Sequence, residues 1–407
     1  MNKAFTFIFL TILIDVTGIG IILPVLPELI QELTGKSLSD ASSYAGWMAS
    51  VYSIMMFFCA PIMGGLSDQF GRRPVLLFSL LGFGLDYILQ GFAPSIFWLF
   101  IGRILAGITG ASFSTAAAFI SDLSTPDKKA QNFGLIGAAF GLGFIIGPLL
   151  GAFLGQYGVR VPFFGAAALA FMNLIFGFLV LPESLKPENR RAFSWSRANP
   201  IGTLRVLTRY SVLKSFIVVL LLIYIAHYSL QSTWTFYTMF KFGWGHDQVG
   251  YSLAFVGLMM AIVQGGLSRI IIPKLGPQNS IRFGMIVALL SYMAYAFAPS
   301  GIFMYYIMLF FSFSGIAGPS IQGLISNQVP QDAQGELQGG LTALMSISAI
   351  FGPLLMTQLF QMGSKGLFAN SFPGLPFLVA GILVLIAFLL VQKSLKGLEP
   401  YKQSPKI

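Results

Sequence analysis

Apolar runs long enough to cross a bilayer recur along this chain, separated by short polar clusters. A span needs about 20 mostly apolar residues. The pattern predicts twelve helices, near 5–27, 43–66, 75–93, 96–120, 132–155, 162–181, 214–239, 248–272, 281–298, 302–325, 336–360 and 372–392. Turn and charge clusters separate them, among them SDQFGRRP (67–74), STPDKKAQ (124–131) and PKLGPQNSIR (273–282). The longest polar stretch, 182–213, divides the chain nearly in half. The first run follows Lys3 as a signal peptide would. No small-residue cleavage pattern follows, and Pro24 and Pro27 come instead, so it reads as the first helix.

Short matches repeat across the divide. GGLS occurs at 64–67 and 265–268, GPLL at 147–150 and 352–355, and GITG at 107–110 is echoed by GIAG at 315–318. They keep one order and nearly one offset. The expectation is an all-α membrane protein: an N-terminal six-helix half (1–181), a basic linker (182–213) and a C-terminal six-helix half of the same topology (214–407). Parallel halves of this kind are a transporter plan in which a midplane site lies between the halves.

Composition agrees. Of the 407 residues, 56% are hydrophobic and 9% charged, against about 25% charged in soluble domains. The net charge of +10 raises the question of nucleic acid, but the basic residues lie between the apolar runs. Nineteen of the 24 lysines and arginines fall on the side shared by the termini and the linker. Lys36, Arg160, Lys241 and Lys365 fall on the other side, and Arg103 lies inside a span. This bias places both termini of a multi-pass protein in the cytoplasm; the membrane expected is a bacterial inner membrane. Cys59 is the single cysteine and there are two histidines. An intramolecular disulfide is excluded, and neither a metal site nor a catalytic set is expected. No phosphate-cradling G-x-x-x-x-G-K-[ST] loop is present. The expectation is a non-enzyme without a cofactor, working as a monomer in the lipid bilayer.

Few ionisable residues lie at membrane depth: Asp15, Asp86, Arg103 and His227. A carboxylate at a helix centre costs roughly 2.5–3.5 kcal/mol even on the lenient insertion scale, and such residues mark pathways by default. Asp15, in LIDVTGIGIILPVLP (13–27), sits about half way along its run. It reads either as a carrier that takes a proton from one side and yields it to the other, or as a structural partner of Arg103. Arg103 does not deprotonate, so it must be paired or hydrated. Asp86, His227, Gln231, Trp234, Gln264 and Gln322, with Tyr228, Phe236 and Tyr237, are candidates to line an apolar cavity with sparse polar groups. Packing within the bundle or against lipid is the competing reading for each.

Two motifs add a resemblance. In GGLSDQFGRRP (64–74), the spacing of Gly64, Asp68, Gly71, Arg72 and Arg73 resembles the signature loop of the major facilitator superfamily. There it latches one face of the two halves in the outward-facing state; here Gln69 replaces a basic residue, which implies a weaker latch. In GAAFGLGFIIGPLLG (137–151), Gly137, Gly141, Gly147, Pro148 and Gly151 give a smooth helix face suited to close packing. Their spacing resembles the motif of that superfamily's drug/proton antiporters. LDYIL (85–89), GRILAGITGA (102–111), GIAGPSIQGLISNQ (315–328) and QGELQGGL (334–341) resemble its tetracycline-efflux branch over nearly the whole chain. The branch has a histidine where GLMMAIVQ (257–264) places Met260, and an acid in the ninth span where MIVALLSYMAYAF (285–297) has none. The resemblance implies a proton-coupled antiporter that exports a small amphipathic compound, tetracycline-like drugs among the candidates, with Asp15 and Arg103 coupling the proton. An exporter of an endogenous metabolite or siderophore, and a ligand-binding sensor that moves nothing, are the alternatives.

Overall fold

The structure, a computed structural model, describes residues 3–110, 112–124, 129–195, 211–326, 328–329, 334–366 and 371–396. Linker residues 196–210 lie outside them. Span one is Lys3–Ile22. It stops short of the expected end because Pro24 and Pro27 interrupt it, and a short helix, Leu26–Thr34, follows at the membrane edge. Spans two and three are Leu38–Phe70 and Arg72–Gly91, separated only by Gly71 at φ 107°. Span four comes in two pieces, Ile96–Thr109 and Ser112–Leu123. Spans five and six are Lys129–Gly155 and Val161–Val180.

The second half repeats the plan. Span seven is Ser211–Phe242. Span eight is His246–Ile262, a π-helical turn at Val263–Leu267, then Ser268–Leu275. Span nine is Pro277–Ala296. Span ten is Gly301–Ser312, a 3₁₀ turn at Phe313–Ile316, then Ala317–Ser326. Spans eleven and twelve are Gln334–Ser364 and Leu375–Lys396. Eleven of the twelve are apolar enough to cross a membrane outright. Span nine opens on the polar turn PQNSIR and is apolar beyond it. Among the described residues the fold is all-helical, twelve spans in two six-helix halves.

The start of span one at Lys3, the end of span twelve at Lys396 and linker residues 182–195 share one face, the basic face. Within the first half, span one packs on spans five and six, and span three on spans four and six. Within the second, span seven packs on eleven and twelve, and span nine on ten and twelve. The halves meet where span two lies against eleven and span five against eight. Small residues bring these helices together. A Cβ on Gly147 would lie 2.6 Å from the Thr17 carbonyl oxygen, and one on Gly20 would lie 2.8 Å from Pro148 Cδ.

The repeat has a physical use. The Gly–Pro step of span five (Gly147–Pro148) faces Gly250 of span eight, whose Cβ would come within 2.8 Å of the Pro148 carbonyl. The Gly–Pro step of span eleven (Gly352–Pro353) faces Gly46 of span two, whose Cβ would come within 3.2 Å of the Pro353 carbonyl. One device makes both contacts between the halves.

Hydrogen bonds between the halves cluster away from the basic face. Ser364 Oγ donates to Ser39 Oγ at 2.7 Å, Gln358 Nε2 to Ser43 Oγ at 2.6 Å, and Gln361 Nε2 to Asp40 Oδ1 at 2.7 Å. Lys365 pairs with Asp40, and His246 Nε2 lies 2.6 Å from Glu28 Oε2. Ser50 Oγ donates to the Ile350 carbonyl at 2.6 Å, part-way down the spans. Toward the basic face, Gly134, Gly137 and Gly141 of span five have open space where a side chain would stand, and so do Gly265 and Gly266 of span eight and Gly318 and Gly323 of span ten. The halves are closed at one face and parted at the other.

Candidate functional site

A cavity of about 450 Å³ lies between the halves at mid-depth, a usual volume for a small-molecule site. Its walls are mostly apolar. From the first half, Tyr52, Asp86 and Arg103 supply polar groups; from the second, Tyr228, Gln231, Thr235 and Ser346 do. Pro353 of the repeated Gly–Pro step also lines it.

The charges in this wall are paired. Arg103 Nη2 bonds Asp86 Oδ2. The Asp86 side chain is fully buried, whereas that of Arg103 keeps 22% of its surface exposed. The guanidinium lies over the Tyr52 ring, 6.0 Å from its centroid, where the ring quadrupole favours a cation. Gly102 makes this possible, because a Cβ there would run into Asp86 Oδ1. Arg103 therefore pairs with Asp86 and not with Asp15. Deleting one member of such a pair leaves an uncompensated charge, at about 3–5 kcal/mol.

Asp15 stands apart. It is 7% exposed and does not line the cavity; Ile19, one helical turn further from the basic face, does. Its hydrogen-bond partner belongs to the first half, Asn173 of span six, whose Nδ2 is 3.5 Å from Asp15 Oδ1, and Ser112 of span four is a further polar neighbour.

The other expected cargo residues divide. Gln231 lines the cavity with Asp86. Trp234 is buried in the second half, its Nε1 donating to Ser252 Oγ at 2.9 Å and its ring edge-on to Tyr295. His227 is half-buried and outside the cavity wall. Gln264 sits exposed on the π-helical turn, with Nε2 3.8 Å from the sulfur of Met260. Gln322 is exposed and donates to Gln338 Oε1 at 3.2 Å. On span seven the cavity takes Tyr228, Gln231, Ser232 and Thr235, spaced three and four residues apart along one face, while His227 and Trp234, seven residues apart, share the neighbouring one.

The loop of Gly64, Asp68, Gly71, Arg72 and Arg73 binds its own half. Arg72 bonds Asp68 Oδ1 at 2.6 Å, Ser67 Oγ at 3.0 Å and Asp122 Oδ2 at 3.0 Å. The Glu183 carboxylate accepts the backbone N–H groups of Arg72 (2.8 Å) and Arg73 (3.2 Å), capping span three from the end of span six. Gly71 is required there, because a Cβ would collide with that carboxylate and φ is left-handed. Arg73 donates to the Phe178 carbonyl at 2.7 Å. Gln69 Oε1 accepts the Phe193 N–H at 3.1 Å, and the Asp68 carbonyl accepts that of Arg191. These bonds reach the linker and spans two, three, four and six. Gly64 faces open space.

The antiporter-like glycines also divide. Gly147 and Gly151 press on Gly20 and Ile21 of span one, whereas Gly137 and Gly141 face open space. Sequence reasoning missed Asn173, Tyr52, Glu183 and the pairs that close the far face. Asn173 carried a signal: it is an amide inside the otherwise apolar run AALAFMNLIFGF (167–178).

Comparison with known proteins decides the family. The model of the Major Facilitator Superfamily matches residues 8–353. The chain belongs to the Major Facilitator Superfamily. Within that superfamily it is 36% identical over 385 residues to the tetracycline resistance protein, class C, of Escherichia coli, covering 95% of each chain. It is 27% identical to multidrug resistance protein 2 of Bacillus subtilis, over 91% of this chain and 89% of the other. The crystal structure of the human organic anion transporter MFSD10 (TETRAN) superposes with a TM-score of 0.71 at 26% identity, covering 96% of this chain and 99% of that one.

Proposed function

We propose that this superfamily member is a proton-coupled antiporter that exports a small amphipathic compound, with tetracycline-like drugs the first cargo to test. The similarity to the tetracycline resistance protein, end to end at 36% identity, carries this reading. The two halves, 1–181 and 214–407, rock about the cavity, with 182–213 as the cytoplasmic connection. The positive bias of the basic face puts that face in the cytoplasm, so the parted arrangement is the inward-facing one.

Cargo enters from the cytoplasm into the cavity walled by Tyr52, Arg103, Gln231 and Thr235. The proton enters from outside and resides on Asp15. Asp15 lies within the first half and the cavity lies between the halves, so coupling runs through the packing of span one rather than through direct competition for one carboxylate. The Asp86–Arg103 pair gives the cavity no net charge, which suits an amphipathic cargo whose polar groups hydrogen-bond to hydroxyls, amides and the exposed edge of the guanidinium. Met260, in the place of the branch's histidine, leaves Gln264 without a titratable neighbour on that turn.

The test is drug accumulation. Expressed in a drug-sensitive bacterium without its own efflux pumps, the protein should lower steady-state tetracycline several-fold, and a protonophore should abolish the difference. Unchanged accumulation of tetracycline and of a panel of amphipathic dyes would contradict the reading.

A further inference from the structure

The acid in span one faces a polar neighbour that makes three hydrogen bonds to span one. Asn173 is fully buried. Its Oδ1 accepts the Thr11 hydroxyl at 3.3 Å, and its Nδ2 donates to the Thr11 carbonyl at 3.2 Å and faces Asp15 Oδ1 at 3.5 Å. The Thr11 carbonyl can only accept, so it fixes Nδ2 as the donor end of the amide. The Thr11 hydroxyl holds the oxygen end, and the N–H₂ is kept aimed at that carbonyl and at the carboxyl of Asp15. Asn173 thus bridges span six to span one, 158 residues apart at this contact.

The carboxyl is thereby divided into two unlike oxygens. Oδ1 faces an amide N–H₂, which donates and cannot accept a proton. Oδ2 is buried and makes no hydrogen bond, and neither does Ser112 Oγ, although Ser112 is the other polar side chain acting on this acid. An ionised carboxyl is acceptor-only, whereas a neutral one carries an O–H that needs an acceptor. Ser112 serves both states, since its hydroxyl donates to a carboxylate and accepts from a carboxylic acid.

We propose that Asn173, oriented by Thr11, is the positioning residue for Asp15, and that it directs the transported proton to Oδ2, the buried oxygen left without a hydrogen bond. This rests on the reading of Asp15 as the proton carrier. Asn173 touches neither cargo nor the proton; it sets where the proton sits.

The test needs no cargo. Purified protein in lipid is stepped between two pH values while infrared difference spectra are recorded. In the unaltered protein a protonated-carboxyl C=O band should come and go, and Asp15→Asn should remove it. Asn173→Leu, close in size but without donors, should move that band to higher frequency, as a carbonyl freed of its hydrogen bond does, and shift its midpoint by about one pH unit. Thr11→Val should move it the same way by less. Phe176→Leu is the packing control: Phe176 stacks on Phe7 of span one with centroids 4.9 Å apart, so this change should lower the melting temperature and leave the band in place. Should Asn173→Leu fail to fold, Thr11→Val carries the same criterion. An Asp15 band unmoved by the Asn173 and Thr11 changes would overturn the inference and leave the proton-carrier reading standing. No Asp15-dependent band in the unaltered protein would remove that reading itself.

Discussion

Asp86 and Arg103 share a wall with the cargo cavity, and their energetics are those of a buried pair. Desolvating two charges costs several kcal/mol each, and mutual attraction with good geometry offsets this. Asp86→Asn alone should strand the guanidinium and lower the melting temperature sharply, a loss of about 3–5 kcal/mol. Asp86→Asn combined with Arg103→Gln should recover most of it, because the pair is removed together. Thermal unfolding followed by intrinsic fluorescence checks this; additive losses in the double variant would mean that the two side chains do not depend on each other. Both residues were legible in the sequence as charges at membrane depth. Their pairing was not, because Asp15 and Asp86 offer equal partners to Arg103 until the register of spans one, three and four is known. Gly102 settles that register by letting Asp86 lie against the helix that carries Arg103. Asn173 illustrates the converse, a residue with no charge to draw notice whose importance comes wholly from what two distant helices place beside it.

At the scale of the helix, spans were far easier to read than their faces. Apolar length alone predicts twelve crossings within a few residues, since the bilayer fixes how long each must be. Which face of a span meets cargo, partner helix or lipid depends on tilt and neighbours, so Trp234, His227, Gln264 and Gln322 fall away from the cavity that Gln231 lines. The signature loop shows the same limit. Its residues are those of a latch between halves, and in this state their bonds go to Asp122, Glu183 and the linker within one half. The far face holds the closed contact instead. Ser39 and Ser364 place their hydroxyl oxygens 2.7 Å apart across spans two and eleven. In a Cys59→Ser background, Ser39→Cys with Ser364→Cys should form a disulfide under mild oxidation, trap this arrangement, and stop transport until a reductant is added. Transport that continues in the cross-linked protein would mean that the two spans need not part there.

Considered as a whole, the molecule is two six-helix bundles pressed together at one end. The hydrogen bonds that close the far face are individually modest, about 0.5–1.5 kcal/mol each, and several of them must break for the gap to change sides. An alternating-access device needs this balance, since a single strong interface would hold one state. Inner and outer faces follow from charge: placing Cys at Ser37 or at Ser184 in the Cys59→Ser background should give labelling by a membrane-impermeant thiol reagent from outside only at position 37. Labelling at 184 from outside would invert the molecule and the direction of transport with it. The account as a whole depends on Asp15 carrying a proton during turnover. The most direct measurement is tetracycline uptake into proteoliposomes holding protein of known orientation, driven by an imposed pH gradient, for the unaltered protein and for Asp15→Asn. The account predicts gradient-driven uptake in the first and none in the second, with the Asp15→Asn protein folded and still exchanging labelled for unlabelled drug. Gradient-driven uptake that survives Asp15→Asn would contradict it.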